Sequence, residues 1–134
     1  MIGIWGSHTS IFLQVMAIFS LLVFTLPIFL APLKWAEILR WSLPEDPDLA
    51  VYFGRCLGGV GCVINGFALY VSGEPALQPF FLQIAIGIFA ILTWVHILGA
   101  VQRIQPITET IEIAFWGALI VLALCFYPVG METS

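Results

Sequence analysis

DLAVYFGRCLGGVGCVINGFALYVS (Asp48–Ser72) and ALQPFFLQIAIGIFAILTWVHILGAV (Ala76–Val101) are the two stretches that decide the fold. Only Gly73, Glu74 and Pro75 separate them. At about 1.5 Å rise per residue, each is long enough as a helix to cross the ~30 Å hydrocarbon core of a bilayer. Gly73 is a natural helix stop. So short a link predicts an antiparallel hairpin of two transmembrane helices.

Toward the N-terminus, PEDPD (Pro44–Asp48) breaks the chain, with Asp46 expected as N-cap and Pro47 as first helical residue. Before it, LKWAEILRWSL (Leu33–Leu43) places Trp35, Ala36, Ile38, Leu39 and Leu43 on one side of a helical wheel. Lys34, Glu37, Arg40 and Trp41 fall on the other, which predicts an interfacial amphipathic helix anchored by Lys34, Trp35, Arg40 and Trp41. Ile11–Pro32 is a further apolar run, with Pro27 expected to kink it. No Lys or Arg precedes it and it outruns a signal-peptide core, so it is a span. Beyond Val101, QRIQPIT (Gln102–Thr108) leads into a run from Glu109 to Tyr127 that Pro128 ends. The predicted fold is an all-α integral membrane protein, a single membrane domain over residues 1–134. It has four transmembrane helices (about 11–32, 48–72, 76–101 and 109–127) in an antiparallel bundle, with the interfacial helix over 33–43.

Composition agrees. Hydrophobic residues make up 61% of the 134 and charged residues 9%, and mean hydropathy is +1.08. Soluble domains average about 45–50% apolar and about 25% charged. A formal charge of −4 with no basic block excludes nucleic acid as a partner. Four spans put the two longer connections on one side, with Lys34, Arg40, Arg103 and the nearby Arg55, and leave no cation on the other. The positive-inside rule predicts that side to be cytoplasmic and both termini to be outside, as in a bacterial inner membrane. Cys56, Cys62 and Cys125 lie inside apolar runs with no CxxC, so they are expected as packing residues.

In the second span Gly54, Gly58, Cys62 and Gly66 recur every fourth residue, with Gly59 and Asn65 beside them. Small residues let membrane helices approach closely, so this ridge predicts a helix contact within the chain or with a partner, and Asn65 an interhelical hydrogen bond. Phe53, Leu57, Val60, Ile64, Phe67 and Val71 fall opposite. In the fourth span Glu109, Glu112, Trp116, Leu119 and Ala123 share one face, and Ala114, Gly117, Ala118, Val121 and Cys125 the other. The pattern leaves open which face is internal.

Depth gathers Arg55, His96, Arg103, Glu109 and Glu112 near one membrane face, with Arg55 expected to pair with Glu109 or Glu112. A functional reading is a polar site that binds a ligand or relays protons. A structural one has Arg55 snorkelling, the glutamates favoured by the helix dipole and His96 bonded to the backbone. His8 and His96 are expected at opposite membrane faces, which argues against bis-His haem. One His and two Glu without ExxH or HxxxH spacing predict no metal site. In length and span number the chain is similar to the small multidrug transporters. Their essential glutamate in span one is missing, however: only Gln14, Ser20 and Thr25 are polar there.

The leading functional expectation is a small polytopic subunit or accessory protein. It would pack against other transmembrane subunits, or against itself as a homo-oligomer, among membrane lipids. The second is a binder or transporter of a lipid, quinone, pigment or other hydrophobic small molecule. The third, an intramembrane enzyme, would use His96 with Glu112 as an acid–base pair. No cofactor is predicted beyond such a bound lipid or hydrophobic small molecule.

Overall fold

In a computed structural model, residues 2–129 are described. All regular structure among them is helical, and four helices are long and apolar enough to cross a membrane: Gly6–Leu30, Asp48–Ser72, Pro75–Gln102 and Ile107–Cys125.

The first is composite. A 3₁₀ turn leads into α1 (Thr9–Ser20), then a π-helical stretch over Leu21–Thr25, then α2 (Leu26–Leu30). Pro27 has no N–H for the carbonyl of Val23, and the backbone widens just ahead of it, with Leu26 N–H bonding Leu21 O. Ala31 leaves helical geometry (φ −142°, ψ 62°) because it precedes Pro32.

The short helix α3 covers Pro32–Ile38, not 33–43 as the wheel suggested. It ends in a Schellman turn. Trp41 N–H bonds Ala36 O at 3.0 Å and Arg40 N–H bonds Glu37 O at 2.9 Å, with Arg40 left-handed at φ 65°. α4 covers Asp48–Ser72 with Pro47, not the expected Asp46, at the N-cap, and Asp46 Oδ1 accepts the Asp48 N–H at 3.3 Å. α5 (Gln78–Gln102) also closes in a Schellman turn, here with Arg103 left-handed at φ 56°. α6 (Ile107–Cys125) begins immediately after Pro106.

Leu13 and Ala17 of α1, Ala68 and Val71 of α4, Leu82 and Ala85 of α5 and Ala123 of α6 form the buried core. Val71, assigned by the wheel to the bulky outward face, is fully buried there. Trp116 and Leu119 pack against this core, so the acidic face of α6 turns inward. Polar ties gather around Ser72, whose carbonyl accepts from Ser10 Oγ (2.5 Å) and Gln78 Nε2 (3.1 Å). Nearby, the N–H groups of Gly3 and Trp5 bond the Leu124 and Cys125 carbonyls at 2.9 Å, satisfying groups that a helix end leaves free.

The glycine ridge of α4 meets the first span closely. A Cβ on Gly54 would lie 2.6 Å from Pro32 Cβ, and one on Gly58 would strike the Phe29 backbone. Gly59 lies against the Phe29 ring, and Cys62 Sγ donates to Thr25 Oγ1 at 3.6 Å. Asn65 Nδ2 donates to Ser20 Oγ (3.0 Å) and to Gly61 O (2.8 Å). Beyond Asn65 the first helix stays packed on Ala68, Val71 and Ser72, and Gly66, off that line of contact, has no neighbour within 4 Å.

Candidate functional site

His96 lies about two turns before the end of α5, and the link from Arg103 to Pro106 folds α6 back beside it. Glu109 and Glu112 are three residues apart on α6, on the same face, and both reach the imidazole. His96 Nε2 is 3.0 Å from Glu109 Oε2 and 3.4 Å from Glu112 Oε2. His96 is 9% exposed, and both glutamates are half-buried.

Each member is held from outside the cluster. His96 Nδ1 lies 2.7 Å from Leu92 O, and since a carbonyl only accepts, Nδ1 is the donor. Trp41 Nε1 donates to Glu109 Oε1 at 2.8 Å, and Trp116 Nε1 donates to Glu112 Oε2 at 3.2 Å. Phe24, in the π-helical stretch, packs against Trp35, Phe115 and Trp116, with ring centroids 5.6–6.2 Å away. Gln105 Nε2 donates to His96 O (3.0 Å) and Thr110 Oγ1 (3.1 Å), and Thr108 Oγ1 donates to Leu39 O. These bonds tie the α5–α6 turn to the segment after α3.

His96 Nε2 lies within hydrogen-bond reach of Glu109, and the pair needs a proton or an ion between them. With Nδ1 committed to Leu92, Nε2 of a neutral His96 is an acceptor, and it faces carboxylate oxygens, which accept as well. A proton, on the ring or on a facing carboxyl group, or a metal ion has to lie between Nε2 and the glutamates for this arrangement to be stable. The ligand atoms of His96, Glu109 and Glu112 all lie within 4.8 Å of one another, close enough for a single cation to bridge once the glutamates draw together.

The two arginines grouped with these residues stand apart. Arg55 is exposed and lines a groove with Phe29, Asp48 and Tyr52. It forms no ion pair with Glu109 or Glu112, because its place two turns into α4 faces away from α6. Arg103 is also exposed, turned outward by the left-handed residue that closes α5. Lys34 and Arg40 are exposed, Trp35 is half-buried on Phe24, and Trp41 reaches Glu109. No basic side chain other than His96 therefore pairs with the two glutamates among the described residues.

Spacing alone did not pick out Trp41, Trp116 or Gln105 as partners of the cluster. Trp116, four residues after Glu112 on one helix face, was the available signal. No protein-family model, curated protein or solved structure matches this chain.

Proposed function

We propose that the chain is an integral membrane protein of four antiparallel crossings that holds a cation at the His96–Glu109–Glu112 centre. The observation that carries this reading is the buried Nε2 of His96, which faces two carboxyl groups at 3.0 and 3.4 Å, with no other basic side chain paired to them among the described residues. Two carboxylates with a neutral imidazole carry a charge of −2, in a place where an unpaired charge costs several kcal/mol. A bound cation removes most of that cost.

The same reading places α3 at the membrane interface, with Lys34 outward and Trp35 against Phe24. By the positive-inside rule the cluster lies toward the cytoplasm and both termini lie outside, in a bacterial inner membrane. Reporter fusions should put Lys34 and Arg103 on one side; opposite sides would overturn this topology.

The cation reading is tested by ¹⁵N NMR of histidine-labelled protein in detergent micelles. There are only two histidines, and the exposed His8 is the internal reference. A His96 ring protonated on both nitrogens, or with a metal on Nε2, supports the reading. A neutral, metal-free ring in either tautomer overturns it.

A second reading, an accessory subunit that docks other transmembrane helices, is favoured by Gly66, Gly87 and Gly117. All three lie on membrane helices with open space where a side chain would be, and such recesses suit a close-packed partner helix. Gentle extraction and native mass measurement should then recover an oligomer or a hetero-complex. A lone monomer from host membranes would count against it.

A further inference from the structure

The cation can be identified by the chemistry of its donors, an inference that rests on the cation reading above. We infer that His96 Nε2, Glu109 and Glu112 form a three-ligand site for one divalent transition-metal ion of the zinc and cobalt class.

Three observations point the same way. First, the donors are correctly spaced. Ligand atoms about 2.0–2.2 Å from a tetrahedral ion are about 3.3–3.5 Å from one another. His96 Nε2 stands 3.0 and 3.4 Å from the two carboxylate oxygens, and all three donors lie within 4.8 Å of one another, so an ion fits once rotation of the glutamates brings their oxygens together.

Second, the outer contacts are those a metal centre uses. A ligating imidazole donates its other N–H to a carbonyl or carboxylate, which fixes the tautomer and aims the free nitrogen at the ion. Leu92 O does this for His96. The carboxylates are held by uncharged donors, Trp41 on the outer oxygen of Glu109 and Trp116 on the Glu112 oxygen that faces His96.

Third, the charge balances. An imidazolium leaves the three groups at −1, whereas a divalent ion with neutral imidazole brings them to zero. Zero is the favoured total within a membrane helix pair.

Imidazole with carboxylate oxygens suits zinc and its neighbours better than calcium or magnesium, which take oxygens alone. Three protein ligands leave at least one position open, unlike the closed four-ligand set of a structural zinc. Beside His96 and Glu109 lies a groove of about 280 Å³, lined also by Trp41, Gln102 and Gln105. Water or a small oxygen-bearing molecule would reach the open position from there.

The test uses the full chain, purified in detergent and stripped with chelator, with Co²⁺ as a visible probe and Zn²⁺ as competitor. One Co²⁺ per chain is expected, with ligand-field bands of nitrogen and oxygen donors, displaced by Zn²⁺ and shifting the His96 ¹⁵N signals. Glu109→Gln and Glu112→Gln should each weaken binding at least tenfold, and His8→Ala should leave it unchanged. Trp41→Phe, which removes only an outer contact, should weaken it about 10–100-fold.

Binding that survives both glutamine variants, or that shows a thiolate charge-transfer band, would place the ion elsewhere and overturn the inference. Absence of stoichiometric binding together with a doubly protonated His96 would overturn the metal and leave the cation reading standing. Absence of binding with a neutral ring would overturn both. If the glutamine variants fail to fold, the wild-type Co²⁺ spectrum and His96 shifts still decide the matter.

Discussion

Gly58 and Gly66 sit two turns apart on one helix and offer a matched pair of substitutions. A Cβ on Gly58 would meet Phe29 N, Phe29 Cα at 2.7 Å and the Thr25 carbonyl oxygen at 2.8 Å. All three are backbone atoms, so no side chain can swing aside. α2 would have to move outward by several tenths of an ångström. A gap of 0.5–1 Å already forfeits a quarter to a half of each dispersion contact. Overpacking typically costs ~1–3 kcal/mol, and backbone atoms on two sides put Gly58→Ala toward the top of that range. Against this, alanine in a helix interior gains about 0.5–1 kcal/mol over glycine. The net loss should be about 1–2 kcal/mol from these two terms. At Gly66 nothing lies within 4 Å, so Gly66→Ala keeps only the helix gain. Reversible unfolding in mixed detergent and SDS micelles, followed by circular dichroism, measures both. Equal stability of Gly58→Ala and wild type would refute the close crossing of α2 and α4. A loss at Gly66 comparable to that at Gly58 would show that its face is covered, and the measurement should then be repeated on the isolated monomer.

Thr9 is buried, and its hydroxyl lies 2.6 Å from both Gly6 O and Phe126 O. Thr9→Val keeps the shape and takes the hydroxyl from Phe126 O, while Gly6 O still accepts the Thr9 N–H, so it should cost about 1–3 kcal/mol. Hydrogen exchange should then show earlier opening of the Gly3 and Trp5 amides. Asn65→Ala removes the bond to Ser20. Interhelical bonds of this kind average about 0.6 kcal/mol in membranes, so a double-mutant cycle with Ser20→Ala should give a coupling of that order. A coupling near zero would show that the pair does not bind. Gly99→Ala would drive a methyl group into the Gln105 carboxamide, the movable end of a side chain. Overall stability should change little, while Gln105 loses its place on His96 O. Weaker Co²⁺ binding with an unchanged unfolding midpoint is the expected pattern.

How much of this was legible in the sequence differs between the fold and the site. The four long helices followed from run length and hydropathy, since continuous apolar stretches of that length form helices long enough to cross a bilayer. Helix ends were less visible. Arg40 and Arg103 close α3 and α5 in the left-handed region, where glycine or asparagine is the usual signal, so α3 ends sooner than its amphipathic pattern. Gly73 stops α4 as expected, at φ −88°. In the site, depth placed His96 near Glu109 and Glu112 because all three flank one short link. It also placed Arg55 there, because depth says nothing about direction around the helix axis. The ridge that carries Gly54 and Gly58 is spent on the first span, and Arg55, next to Gly54, is turned out of the bundle.

Ligand spacing along the chain carries no signal for the proposed metal centre for a related reason. ExxH and HxxxH describe two donors on one helix face. Here the histidine and the glutamates lie on separate helices, and the link between α5 and α6 fixes their register instead. Three features make that link stiff. The Schellman turn at Arg103 reverses the chain, with Ile104 N–H on Gly99 O at 3.1 Å. Pro106 opens α6 at once. Gln105 then fills the space above Gly99, bonded to both the end of α5 and the start of α6. A side chain at position 99 or a longer link would let α6 slide. A slide of one residue shifts Glu109 and Glu112 by about 1.5 Å and turns them about 100° around the helix. The reach of both carboxylates to one imidazole nitrogen therefore depends on residues that touch neither.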